Sequence, residues 1–161
     1  MSYLVDLDFY FRCMVEDMIV PFNRDNVNPA SIDLTLDKVV KVHDGEGFFE
    51  MVLPDEGMRF EAGKPVFVSS VETVKLNAVE SALVVLKSSM LRNGVNTSGA
   101  GWVDPAYEGT ITSCLYGFMP FKLVPYQRFC QLIVLKGDKV PLVPYQGKYQ
   151  GSRGVTLSVE G

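Results

Sequence analysis

The chain has 161 residues, 47% of them apolar and 21% charged, with a formal net charge of −4. That composition describes one globular domain large enough to bury a real core, and its acidic balance excludes a general nucleic-acid binder, which carries a basic surplus. No apolar run approaches the roughly 18 residues of a membrane span, and the opening MSYLVDLDFYF, with early acids and no basic segment, is no secretory signal.

The first predicted element is a helix. Asp6 caps it, Asp8 favours its first turn, and Leu7, Tyr10 or Phe11, Met14 and Met18 recur at three- and four-residue steps as its apolar stripe, until Pro21 stops it. From there short strands broken by Gly, Pro, Asn and Asp are predicted near 32–42, 47–53, 65–76, 82–87, 109–118 and 129–136. Strands this short and this closely spaced fit an antiparallel sandwich or barrel better than a parallel α/β sheet. His43, in KVHDGEG, reads as an exposed turn residue. Cys13, Cys114 and Cys130, odd in number and widely spaced, do not suit a disulfide frame and read as reduced, mostly buried thiols of a cytoplasmic protein.

One short helix interrupts the strands at SSMLRNG. Ser88 or Ser89 caps its start and Asn93-Gly94 gives a left-handed stop. Ser88 and Arg92 share a face, Lys87 precedes them, and the free N–H groups of the first turn complete a set of donors suited to phosphate. The same residues also fit a capped surface turn with an ordinary arginine.

GWVDPAYEGTITSCLYG, at 101–117, raises a similar choice. Asp104 before Pro105 either sets a turn or serves as a base, and the alternating run behind it carries Cys114. The closing segment YQGKYQGSRG is rich in Gly and basic residues with little to pack against, so 144–161 is predicted to be a mobile tail.

Five ordered stretches share a resemblance. NPASIDL at 28–34, LKSSMLRNGV at 86–95, AGWVDPAYEGTI at 100–111, FCQLIVLK at 129–136 and GKYQGSRGVT at 147–156 are similar to the motifs of the dCTP deaminase/dUTPase family. The last of them, with the entry segment DMIVPFNRDNVNPASIDL, resembles the deaminase branch most. The resemblance implies a mostly β, dUTPase-like barrel or sandwich of the β-clip type, with an N-terminal helix and one short helix, folding as a single domain over 1–161. It implies a homotrimer with shared active sites, and dUTP or dCTP bound with Mg²⁺ through the substrate phosphates rather than a protein metal cage. It assigns Asp104, Ser88 and Arg92 to catalysis. Lys87, Ser89, Ala100, Trp102, Tyr107, Gln131, Tyr145 and Lys148 fall to substrate binding, with Tyr107 packing on the deoxyribose, Gln131 and Lys148 at the phosphates, and Asp33 either functional or structural.

The resemblance also implies two chemistries. Asp104 matches the acid that activates water for triphosphate hydrolysis, and deaminases keep it too. The deaminase branch carries a Glu in the following strand, as a proton shuttle, where this chain has Cys114. A thiol is a poor substitute, because only a small fraction is thiolate at neutral pH, and Glu108 lies across the turn. Zinc-type deamination is excluded by a single histidine and the lack of a P-C-x-x-C motif. Lys87 stands where Arg is usual and Ser152 where Gln is usual. The expected function is therefore Mg²⁺-dependent hydrolysis of dUTP to dUMP and pyrophosphate, with dCTP deamination, or nucleotide binding without turnover, as the alternatives.

Overall fold

A computed structural model describes residues 1–98 and 100–158. In chain order the elements are β1 (Ser2–Tyr3), α1 (Asp6–Val15), β2 (Ile19–Val20), a 3-10 turn (Arg24–Asn26), β3 (Val27–Asn28), β4 (Ser31–Thr35), β5 (Val39–His43), β6 (Phe48–Val52) and β7 (Met58–Phe60). They continue with β8 (Val66–Lys75), β9 (Glu80–Leu86), α2 (Ser88–Arg92), β10 (Val95–Thr97), β11 (Trp102–Val103), β12 (Glu108–Gly117), β13 (Phe121–Leu123) and β14 (Arg128–Lys136).

The strands form two six-stranded antiparallel sheets among the described residues. One runs β11-β9-β14-β4-β3 with β1 on β14, the other β10-β12-β8-β5-β6 with β2 on β8, and β13-β7 stands apart as a ribbon. The architecture is mostly β, as expected, and is a sandwich rather than a closed barrel. Alternation builds its interior: Leu132 and Val134 of β14 point inward while Gln131 and Ile133 stay partly exposed. With Ile32, Leu34, Val66, Val68, Val74, Leu115 and Phe129 they belong to one buried cluster, each large side chain contributing about 2 kcal/mol of burial. No helix among the described residues is long and apolar enough to cross a membrane.

Several local expectations need correction. Val5, not Asp6, is the N-cap of α1, with its N–H held by the Asp8 carboxylate at 2.9 Å. The buried face of α1 is Phe9, Arg12 and Cys13, while Leu7, Phe11 and Met14 are exposed. DLDFYFRCMV is apolar almost all round, and what selects the inner face is the burial of Arg12 against Glu80, joined by Glu16 at 2.6 Å. The single strand predicted over 32–42 is two, because at the corner the Leu36 N–H turns to the Gln127 carbonyl and the Asp37 N–H to Ser69. His43 ends β5 opposite Phe48 rather than sitting in the turn, although its Nδ1 accepts the Gly45 N–H of that turn. Neither Ser88 nor Ser89 caps α2: Lys87 is the N-cap, without a side-chain cap bond. Gly94, at φ 79°, does supply the left-handed stop. All three cysteines are free, Cys13 and Cys130 buried and Cys114 half-buried.

Candidate active site

The sequence-predicted residues fall into two groups. Ala100, Trp102, Asp104, Tyr107 and Tyr145 line one cleft of about 480 Å³, together with Val84, Thr110, Thr112, Tyr149, Ser152 and Thr156. Val84 belongs to β9 in the first sheet and Thr110–Thr112 to β12 in the second, so the cleft lies where the two sheets meet. A second cavity, about 210 Å³, shares Val84, Ala100, Thr112 and Thr156 with it and is also lined by Thr97, Ser98, Cys114 and Cys130. Among the described lining residues of both, Asp104 alone carries a charge.

The Asp104 segment is both a turn and a site. The Asp104 carbonyl accepts the Tyr107 N–H at 3.2 Å, with Pro105 second and Ala106 at φ 66° third, the pattern of a type II turn. Glycine is usual at that third position, and a left-handed Ala costs about 1 kcal/mol. The turn is pinned on three sides: Ala106 N–H to Asn77, Tyr145 N–H to the Pro105 carbonyl, and Gln150 Nε2 to the Ala106 carbonyl. Thus fixed, the Asp104 carboxylate is exposed and accepts the Trp102 indole N–H at 3.0 Å. Gly101 lets β11 lie on β9, since a Cβ there would stand 2.5 Å from the Val84 carbonyl oxygen.

The described tail residues lie across the same wall. Gly151 N–H reaches the Glu108 carbonyl at 2.7 Å, Thr110 N–H reaches Ser152, and Thr156 N–H reaches Thr112 Oγ1. Positions 159–161 of the predicted tail lie outside the described residues. Tyr107, nearly buried, donates its hydroxyl to the Thr110 carbonyl at 2.7 Å and shares a 2.8 Å bond with Ser152 Oγ. Burial pushes its phenol up, with the Ser152 bond pulling the other way. Burial likewise pushes the Cys114 thiol up from 9.0, against a hydrogen bond from Ser98, so at neutral pH it is a neutral, polarisable wall. Glu108 does not line the cleft. Lys148 stands over the Tyr149 ring, 5.3 Å from its centroid.

The second group surrounds α2 and does not line this cleft. Ser88, Ser89 and Arg92 are exposed on this five-residue helix. Lys87 is committed to Asp33, at 2.6 Å. Asp33 is fully buried, takes a second bond from Asn28 at 2.9 Å and has Arg128 at 3.6 Å. Gln131, opposite Asp33 in the sheet, donates to Ser31 Oγ at 3.2 Å. Sequence reasoning missed Arg128 and Asn28 in this cluster, and Val84 and Tyr149 in the cleft. Only the strand register brings the first pair to Asp33, and nothing in the local pattern marks the second.

With this geometry in place, comparison with known proteins is direct. The dCTP deaminase-like family model matches residues 11–137. The chain is 32% identical over 155 residues to the dUMP-forming dCTP deaminase of Sulfurihydrogenibium sp. (strain YO3AOP1), covering 87% of this chain and 86% of that protein. It is 34% identical over 158 residues to that of Persephonella marina, covering 89% and 88%. The dCTP deaminase of Thermococcus gammatolerans is 31% identical over 149 residues, covering 89% and 90%. In fold, the chain matches the crystal structure of 2′-deoxycytidine 5′-triphosphate deaminase from Agrobacterium tumefaciens with a TM-score of 0.73 at 22% identity, over 84% of this chain and about half (48%) of that one. The chain belongs to the dCTP deaminase-like family.

Proposed function

We propose that the cleft beside Asp104 takes a deoxypyrimidine triphosphate, and that the chain acts on dCTP in the manner named for its relatives. The observation that carries this reading is the breadth of the match. Identity of 30% or more to proteins named dCTP deaminase runs over nearly nine-tenths of the chain, a span too broad to leave out α2, the Asp104 turn or β14. This shifts the weight from the hydrolysis of dUTP expected from sequence toward deamination.

Conversion of dCTP to dUMP requires two reactions, replacement of the ring amine by oxygen and cleavage of the triphosphate. Asp104, the only charged group lining the cleft among the described residues, is the side chain that would take a proton from attacking water. A second reading rests on Cys114. With a neutral thiol where the family carries its proton shuttle, the hydrolytic half alone survives, and dUTP becomes the substrate. Trp102, Ala100 and Tyr145 wall the nucleotide in both readings, and Tyr107 meets the sugar.

Phosphate binding falls to Ser88, Ser89, Arg92, Gln131 and Lys148. The first four lie apart from their own subunit's cleft, so we place them in a neighbouring copy's site within a homotrimer. Mg²⁺ suits the donor set only as a passenger on the phosphates: among the described residues no group of three or more His, Cys, Asp or Glu side chains could hold a metal, and Mg²⁺ keeps water and phosphate oxygens readily. When bound it neutralises charge developing on the phosphates.

The test is separate incubation of dCTP and dUTP with the protein and Mg²⁺, followed by anion-exchange chromatography and an ammonia assay. Ammonia from dCTP supports the first reading. Formation of dUMP from dUTP alone, with dCTP untouched, supports the second. If neither nucleotide changes, both readings fall and a binding protein remains.

A further inference from the structure

We infer that Ser152 is a positioning residue for Tyr107, so that docking of the tail sets how strictly the cleft rejects a 2′-hydroxyl. This rests on the reading of the cleft as a deoxynucleotide site and assigns its sugar specificity to a residue of the tail. Tyr107 lines the cleft with its ring, and a ring discriminates sterically only if it cannot swing away. Its hydroxyl is anchored twice, to the Thr110 carbonyl at 2.7 Å in the strand that follows and to Ser152 Oγ at 2.8 Å from the tail. The tail is itself held at that point, since the Thr110 N–H donates to the Ser152 carbonyl at 3.0 Å and the Gly151 N–H to Glu108 at 2.7 Å.

Gly109 completes the latch. A Cβ on Gly109 would stand 2.6 Å from the Tyr107 hydroxyl and 2.8 Å from Ser152 Oγ, so the two hydroxyls occupy the space that a side chain there would take. Tyr145, also of the tail, tilts against the Tyr107 ring at 5.8 Å between centroids. Ring, hydroxyl and backbone are thus each fixed, and a ribose 2′-oxygen brought against the ring would lose water with no polar partner in exchange. Serine, short enough to meet the phenol directly, suits this task as a longer amide would not.

The experiment is calorimetric titration of the full chain with the α,β-imido analogues of dUTP and UTP, which resist cleavage at that bond. It compares wild type, Ser152→Ala, Ser152→Thr and Gly109→Ala, with melting temperature recorded for each. Wild type should prefer the deoxy form. Ser152→Ala should lower that preference about fivefold, the loss of one hydrogen bond, by gaining affinity for the UTP analogue, with a melting temperature no more than a few degrees lower. Ser152→Thr should restore it, and Gly109→Ala should lower it from the opposite side. Full preference retained in Ser152→Ala, or no rescue by Thr, overturns the role of Ser152 while leaving the cleft reading intact. If wild type binds neither analogue, nor the corresponding analogue of dCTP, the cleft reading fails and the inference with it.

Discussion

The ammonium of Lys87 lies 2.6 Å from Asp33, a carboxylate whose side chain has no exposed surface, while the Lys87 side chain keeps 20% of its own. The pair is therefore unequal. Without Asp33, Lys87 can turn outward to water; without Lys87, the carboxylate remains buried with Asn28 at 2.9 Å and Arg128 at 3.6 Å. Lys87→Met should thus cost about 3 kcal/mol, the usual loss for stranding a buried charge, whereas Asp33→Asn should cost about 1 kcal/mol. Urea unfolding of the two variants checks the order, and equal losses would mean that Arg128 takes over the charge.

A second buried acid makes stability depend on pH. Glu72 is 3% exposed and accepts the Thr35 N–H at 2.9 Å and the Thr35 hydroxyl at 2.7 Å. Burial raises its carboxyl above the ordinary 4.5, with the Thr35 bonds opposing. The folded state then holds its proton more tightly than the unfolded one. The contribution is fully present below about 4.5 and is lost as pH rises through the higher, folded value. Glu72→Gln should abolish that decline and make the variant relatively more stable at neutral than at acidic pH. Urea unfolding from about pH 4 to about pH 8 reads it, and an unchanged slope would exclude Glu72 as its source.

Replacing Asp104 by Asn preserves the oxygen that accepts the Trp102 indole N–H and removes the charge. If Asp104 takes the proton of attacking water, release of pyrophosphate should fall by about 10²–10⁴ while nucleotide affinity holds. Quench-flow turnover beside calorimetric binding separates the two. Parallel loss of binding would make Asp104 a structural part of the cleft.

Cys114 can be replaced by an acid. Its thiol is pushed up by burial and lines the smaller cavity, so it is held protonated at neutral pH and is a poor base. Under the hydrolytic reading, Cys114→Glu should raise ammonia release from dCTP by about 10² or more. If wild type already deaminates briskly and the variant does not exceed it, the shuttle lies elsewhere and the deaminase reading gains.

The long strands were legible in the sequence because each carries its own alternation. Predicted ranges 65–76, 109–118 and 129–136 differ by a residue from Val66–Lys75, Glu108–Gly117 and Arg128–Lys136. Trp102–Val103 and Met58–Phe60 were not, because two or three residues hold no period. They are strands only by pairing with Leu83 and Ala82, and with Phe121–Leu123. The inner face of α1 was misread because nearly every face is apolar and a buried arginine decides. For the site, the residues of the motif around Asp104 line one cleft together, as neighbours on a single turn must. Lys87, by contrast, reads as a phosphate ligand until the register of β14 and β4 brings Asp33 beneath it.

Trp102 is the single tryptophan of the chain, and it is also the residue whose indole N–H touches Asp104, with 55% of its surface open. The molecule therefore carries its own optical probe at the rim of the cleft. Its fluorescence comes from one known place, so a shift or quench on adding a nucleotide is a signal from that rim, and no dye or label need be introduced to follow how fast the cleft fills.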